Sequence, residues 1–89
     1  MAGKLAVVYA REGEARAVGV VTSRAVGGAV ARNRARRLLR EAYRAHKHKL
    51  KDNVQIVIVA RTAIRDKRLQ DVETEVLSLF RAAGVMMDS

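Results

Sequence analysis

The sequence contains no cysteine, which excludes a disulfide framework, a thiolate metal site and a thiol nucleophile. This composition suits a reducing cytoplasm, which is the expected location. No segment approaches the roughly 18 consecutive apolar residues that a membrane-spanning helix needs. The N-terminal sequence MAGKLAVVY also lacks the long apolar run of a signal peptide. We therefore expect a soluble protein inside the cell.

Residues that usually carry catalysis are equally scarce. His46 and His48 are two positions apart, so on a helix they do not share a face and do not form a metal-binding pair. The acidic residues lie mainly near residues 11–14 and in the last third of the chain, where solvation and helix capping explain them. No carboxylate pair suggests acid–base chemistry, and neither glycine-rich phosphate-binding fingerprint is present. We therefore expect no catalytic residue and no metal ligand in this chain.

Acidic residues are few overall, nine against eighteen lysines and arginines, so the formal net charge is +9. Most of the excess lies in residues 27–51, GGAVARNRARRLLREAYRAHKHKLK, where nine residues are basic and one is acidic. In a small domain, such a charge favours a polyanionic partner, of which nucleic acid is the commonest. A solvated basic surface without a specific ligand is the alternative that charge alone leaves open.

The basic stretch has the periodicity of an amphipathic helix, predicted over residues 29–50. At 100° per residue, an apolar side forms around Leu38, Leu39 and Ala42. A disordered basic tail has no reason to keep an apolar side, so this side is predicted to dock on the rest of the protein. It contains no Trp or Phe, which argues against membrane insertion, the third possible function of such a helix. The opposite side carries the polar residues Asn33, Arg36, Arg37, Arg40, Arg44, Lys47 and Lys51.

Three other segments have the composition of β-strands. Residues 4–10 and 17–23 are predicted to pair as an antiparallel hairpin across the loop at residues 11–14. Residues 54–60, VQIVIVA, form a nearly continuous apolar run. Such a run indicates a central strand that is covered on both faces.

A second helix is predicted over residues 66–83, where apolar residues recur at helical spacing and Gly84 follows. The acidic residues near its start suit the helix dipole. The element order is then β-β-α-β-α, which predicts an α/β two-layer sandwich with a small sheet packed on helices. We expect a single RNA-binding domain over residues 1–89.

Two side chains allow both an RNA-binding and an ordinary structural interpretation. Asn33, in the middle of the basic side, offers a donor and an acceptor that could reach a phosphate, a 2′-hydroxyl or a base edge, or it is simply an exposed helix residue. Tyr9 could stack on a base of a single-stranded segment, or it is a half-buried strand aromatic. The sequence pattern leaves both alternatives open.

The segment Ser23 to Arg44, SRAVGGAVARNRARRLLREAYR, closely resembles the signature of the bacterial ribonuclease P protein component. The shared features are a glycine-containing approach, Ala-Val, Arg-Asn-Arg, paired basic residues and a leucine-rich helix. The resemblance covers about residues 4–83 and includes the predicted strands and the last helix. An isolated Arg-Asn-Arg would be weak, whereas this ordered set is specific.

The resemblance implies the protein subunit of an endoribonuclease holoenzyme in which an RNA subunit carries out the chemistry. That holoenzyme removes the 5′ leader from precursor tRNA by magnesium-dependent hydrolysis, with Mg²⁺ held mainly by the RNA. The implied partners are the catalytic RNA and precursor tRNA, and neither a membrane nor a small-molecule substrate is expected. The alternative is a general RNA-binding module of the ribosomal or assembly type, which would use the same helix without the ribozyme.

Carried over position by position, the resemblance implies two sets of site residues. The RNA-binding set is Ser23, Arg24, Arg32, Asn33, Arg34, Arg36, Arg37, Arg40 and Arg44. The leader-binding set is Val7, Tyr9 and Arg61.

The resemblance also implies a fold like that of ribosomal protein S5 domain 2, with a left-handed strand-helix-strand crossover. This handedness opposes the right-handed rule that about 98% of such crossovers follow. Members of the family usually begin with a basic helix whose aromatic residues form one wall of the leader cleft. This sequence shows no counterpart of that helix, and Tyr9 would then lack its aromatic partners.

Overall fold

The structure, a computed structural model, describes residues 1–87, which fold into three strands and two α-helices. Both helices pack against one face of the sheet, so the predicted β-β-α-β-α order and two-layer sandwich are confirmed. Short 3₁₀ turns connect the elements at Arg24–Val26, Lys47–Lys49 and Thr62–Ile64. The main elements are β1 (Ala6–Glu12), β2 (Ala17–Val21), α1 (Ala29–His46), β3 (Val54–Ala60) and α2 (Leu69–Ala82).

The strand order is β1-β3-β2, so β3 is central, as predicted. The expected β1–β2 hairpin is wrong, because β3 lies between the two strands, antiparallel to β1 and parallel to β2. The short β1–β2 link passes the start of β3, where the Gly13 N–H donates to the Asn53 carbonyl at 2.7 Å. Parallel strands need a long crossover, which α1 supplies between β2 and β3. The handedness of this crossover stays a prediction.

The prediction that β3 is covered on both faces is also wrong. Val54, Ile56, Ile58 and Ala60 point into the core and are buried, whereas Val57 on the opposite face is 41% exposed. Since both helices contribute to one continuous core on the first face, the second face has no helix against it among residues 1–87. The apolar run in the sequence therefore reflects one core face and one open apolar face.

Helix α1 ends at His46, four residues earlier than predicted. Leu50 is wholly buried, and the chain around it pairs with residues 85–87: the Lys51 N–H donates to the Val85 carbonyl at 2.9 Å, and the Met87 N–H to the Lys49 carbonyl at 2.7 Å. These hydrogen bonds draw the chain away from the helical path through a 3₁₀ turn. Lys51 consequently lies outside the basic side of the helix, where the sequence pattern had placed it.

A carboxylate on α2 fixes the segment before β1. Glu75 accepts three hydrogen bonds, from the backbone N–H groups of Lys4, Leu5 and Ala6 at 2.8, 2.7 and 2.9 Å. Arg61, directly after β3, donates from Nη1 to the Gly3 carbonyl at 2.9 Å. The first strand is thereby attached to α2 and to the end of β3.

Replacing Glu75 by Ala should lower the free energy of unfolding by about 1–3 kcal/mol, because three charge-assisted hydrogen bonds are lost and two of their donors are partly buried. Urea denaturation measures this change. The matched control is Glu73→Ala, which removes a carboxylate of similar exposure from the same helix. Equal losses in the two variants would contradict the proposed role of Glu75.

Candidate nucleic-acid interface

Five polar side chains of α1 form a continuous surface opposite the core. They recur at spacings of three and four residues, which places them on one side of the helix. Together with Glu41 they line a shallow groove of about 340 Å³. We call this surface the arginine face; it consists of Asn33, Arg36, Arg37, Arg40 and Arg44.

The arginine face keeps its positive charge. Within residues 1–87, the only ion pair joins Arg16 and Asp52, with Nη1 and Oδ1 3.9 Å apart, so Glu41 neutralises no arginine by direct contact. Arg36 donates from Nη2 to the Asn33 Oδ1 at 2.7 Å, which orients both side chains. Asn33 accepts this hydrogen bond through its oxygen, so its side-chain NH₂ group can still donate to an RNA atom.

Four guanidinium groups along about 12 Å of helix form a suitable surface for a nucleic-acid backbone. Each guanidinium presents a rigid fork of N–H donors that matches two phosphate oxygens, and it retains its charge at any physiological pH. A helix also holds the groups at fixed intervals, so little conformational freedom is lost when the backbone binds.

The other four predicted RNA-binding residues lie outside the arginine face. Arg34 donates from Nη2 to the Lys67 carbonyl, which ties α1 to the segment before α2. Arg32 is half-buried and lies on the opposite flank of the helix. Ser23 and Arg24 are exposed at the 3₁₀ turn that precedes α1. RNA contacts by these four residues stay predictions.

Sequence reasoning missed one exposed side chain beside the arginine face. Val30 is 84% exposed and lies one turn before Asn33 and Arg34. An aliphatic group there could pack against a sugar or a base edge. The same 100° periodicity that defined the polar side already places Val30 next to it.

The uncovered side of the sheet forms a second candidate surface, which we call the open sheet face. Tyr9 on β1, Val57 on β3 and Gly19 on β2 lie side by side across the three strands. Tyr9 is 60% exposed, and nothing lies within 4 Å of where a Cβ on Gly19 would stand, so the sheet is uncovered at both positions. The flanking rows are Val7, Val59 and Val21 on one side and Arg11, Gln55 and Ala17 on the other.

The open sheet face combines an aromatic ring with a cation. Its groove, about 580 Å³, is lined among others by Tyr9, Val57 and Arg11, and Arg11 donates from Nε to the Gln55 Oε1 at 2.8 Å. An exposed ring next to a basic side chain is the arrangement that binds single-stranded nucleic acid by stacking and backbone contact. Arg11 was missed because the sequence pattern placed residue 11 in a loop.

The three predicted leader-binding residues do not form one cluster. Val7 and Tyr9 lie on the open sheet face, as expected from alternation along β1. The Arg61 guanidinium instead contacts the turn at Gly3, and Arg61 does not line the groove beside Tyr9. The two residues on β1 are therefore the ones whose position suits contact with a single strand.

A family model described as Ribonuclease P matches residues 1–84. The chain belongs to the ribonuclease P family. The resemblance seen in the Arg-Asn-Arg segment is thus confirmed over nearly the whole chain.

Individual relatives and structures agree with this assignment. The chain is 40% identical over 70 residues to the ribonuclease P protein component of Clostridium acetobutylicum, covering 79% of this chain and 59% of that protein. It is 36% identical over 88 residues to that of Alkaliphilus oremlandii, covering 97% of this chain and 77% of the relative. A Staphylococcus aureus RNase P protein mutant with defective mRNA degradation activity superposes with a TM-score of 0.86 at 26% identity, covering 97% of this chain and 75% of that one. The chain thus spans only part of the length of these ribonuclease P proteins.

Carboxylates and imidazoles are dispersed in this ribonuclease P family member. Within residues 1–87, no group of three or more His, Cys, Asp or Glu side chains could hold a metal ion. His46 lies 3.4 Å from Lys49, between Nδ1 and Nζ, at the end of α1. In the same part of the chain, no helix is long and apolar enough to cross a membrane.

Replacing Arg37 or Arg40 by Ala should each flatten the log-log salt dependence of RNA binding by about one unit, since each side chain is expected to neutralise one phosphate. Filter binding across a salt series measures the slope. Arg81→Ala, at the exposed end of α2, removes the same charge away from the arginine face and serves as the control. The interface would lie elsewhere if all three variants kept the original slope.

Proposed function

We propose that this chain is the protein subunit of a ribonuclease P holoenzyme and that it binds the catalytic RNA through the arginine face. The observation that carries the proposal is the set of four guanidinium groups on one exposed side of α1, none of them in an ion pair within residues 1–87. Family membership supports the choice of RNA as the polyanion. Binding to phosphates along a folded RNA explains why the excess charge is concentrated on this helix.

The reaction that we propose for the holoenzyme is hydrolysis of a phosphodiester that releases the 5′ leader of precursor tRNA. We assign the chemistry to the RNA subunit and Mg²⁺ mainly to the RNA. This division is compatible with residues 1–87, in which no group of three or more His, Cys, Asp or Glu side chains could hold a metal ion. The protein's part is then to bind and to orient RNA.

The open sheet face is proposed to hold part of the single-stranded leader. Tyr9 provides a ring for stacking, Val57 and Val7 provide apolar contact, and Arg11 provides a positive charge near the groove. Stacking on a ring tolerates any base, so this surface suits leaders of different sequence. The arginine face and the open sheet face belong to opposite sides of the α1–sheet layer, which allows two RNA segments to be bound at once.

Reconstitution tests the proposed function. The protein alone should leave precursor tRNA intact, and adding it to the catalytic RNA at low magnesium should restore cleavage that the RNA alone performs poorly. The controls are the Arg37→Ala/Arg40→Ala double variant and heat-inactivated protein, both of which should stimulate less. Absence of stimulation would refute the proposal, and equal affinity for the catalytic RNA and for other structured RNAs would favour a general RNA-binding module.

Tyr9→Ala should weaken holoenzyme binding of leader-bearing precursor tRNA by about 1–3 kcal/mol, because one stacked base loses its partner. Binding of mature tRNA, which lacks the leader, should not change. Tyr9→Phe retains the ring and should restore the affinity. A loss of equal size for precursor and mature tRNA would show that Tyr9 acts through the fold or elsewhere on the RNA.

A further inference from the structure

A second basic groove lies beside the arginine face. It runs between the first half of α1 and the segment that links β3 to α2, and its volume is about 460 Å³. Its floor includes Ile64, which is wholly buried, and the small side chains of Ala31 and Ala35 leave room above that floor. We call it the linker groove; its charged residues are Arg34, Arg65, Asp66 and Arg68.

The linker groove carries an excess of positive charge. Three guanidinium groups face one carboxylate, and no ion pair within the described residues joins Asp66 to any of them. Arg65 and Arg68 are exposed, so their N–H donors remain accessible to an anion. Guanidinium groups that line an open groove and form no ion pair there are well suited to a phosphate.

Contacts between α1 and the linker hold the groove in shape. Arg34 extends from α1 and donates to the Lys67 carbonyl, while Arg65 extends from the linker toward the start of α1. A Cβ on Gly27 would lie 3.5 Å from the Arg65 Nε, an ordinary contact distance, so the Arg65 side chain lies beside the approach to α1. Gly27 has φ 142°, a conformation that favours glycine, and a Cβ there would stand only 2.9 Å from the Ala31 Cβ.

The linker groove is continuous with the arginine face. Arg34 borders the groove and lies immediately after Asn33 and one turn before Arg37, both of which belong to the arginine face. A nucleic-acid strand that crosses α1 at Arg37 would therefore meet the groove within one further turn of helix. This continuity favours the same RNA over a separate anionic ligand as the occupant.

We infer that the linker groove is a second phosphate-binding site for the RNA that the arginine face binds, with Arg65 and Arg68 as the contacting residues. The inference rests on the proposed function and extends it from one side of α1 to two. Arg34 acts as a positioning residue, because its guanidinium holds the linker, whereas Arg65 and Arg68 reach the phosphate. RNA held at both surfaces would enclose the first half of α1.

The test compares salt slopes for binding of the catalytic RNA by three double variants. Arg65→Ala/Arg68→Ala should flatten the log-log slope by about two units, as should Arg37→Ala/Arg40→Ala on the arginine face. Lys4→Ala/Arg81→Ala removes two exposed charges from outside both surfaces and should leave the slope nearly unchanged. Thermal unfolding of each variant verifies that the fold is retained.

The outcomes separate the inference from the proposed function. If only the arginine-face variant flattens the slope, the linker-groove inference is overturned and the proposed function stands. If neither variant flattens the salt slope, the inference and the proposed function both fail. If the control variant flattens the slope equally, the effect reflects total charge, and the inference also fails. Asp66→Asn provides a test of opposite sign: removing the carboxylate should strengthen RNA binding, and weaker binding by a folded variant would contradict the inference.

Discussion

The structure depends on helix α1, which buries its apolar side in the core and keeps its arginine side in solvent. Ala35, Leu38, Leu39 and Ala42 are buried against the sheet and α2, while the arginines opposite them remain in water. Rotating the helix would expose the leucines and would bury guanidinium groups without partners, which costs several kcal/mol for each charge. The helix therefore has one stable orientation, and that orientation presents an organised cationic surface. The same periodic pattern thus determines the stability of the helix and the surface that we propose for RNA.

A one-sided sheet follows from the same packing. Because α1 and α2 share the core on one face of β3, the other face carries Tyr9, Val57 and Val7 without a helix against them among residues 1–87. The residues on that face are mostly apolar, and a ring and an arginine stand among them. Glu75 and Arg61 fix the turn before β1, so that the strand carrying Tyr9 keeps its place at the edge of the sheet. The structure thereby maintains the two surfaces that we propose for RNA with a small core.

How much could be predicted differs between local and long-range features. The bounds of β3 at Val54–Ala60 and the start of α1 at Ala29 agree with the sequence pattern, because apolar periodicity and the Gly27-Gly28 approach are local signals. The strand order could not be read in the same way. A short link favours a hairpin locally, but β3 contributes the largest apolar strand and takes the central position, where both of its edges are hydrogen-bonded. Side-chain contacts between distant segments, such as Glu75 with Leu5 or Arg34 with Lys67, leave no periodic trace in the sequence.

The site residues also divide into those that local sequence patterns predict and those that only the folded structure reveals. Asn33, Arg36, Arg37, Arg40 and Arg44 could be grouped from helical spacing alone, whereas Arg11 became visible only once β1 was seen to extend to Glu12. The family pattern implies a leader contact for Arg61; the structure shows its guanidinium at Gly3, and the leader contact stays a prediction. Motif position identified the residue, and local packing determined what it touches.

The central claim is that the solvent side of α1 contacts the catalytic RNA, and site-directed cleavage tests it directly. Since this chain has no cysteine, a single cysteine at position 37 or 81 can carry an iron chelate that cuts nearby RNA without competing attachment sites. We expect the probe on Arg37→Cys to cut the catalytic RNA at a few discrete positions and the probe on Arg81→Cys to give no such pattern. Discrete cuts from position 81 and none from position 37 would contradict the account.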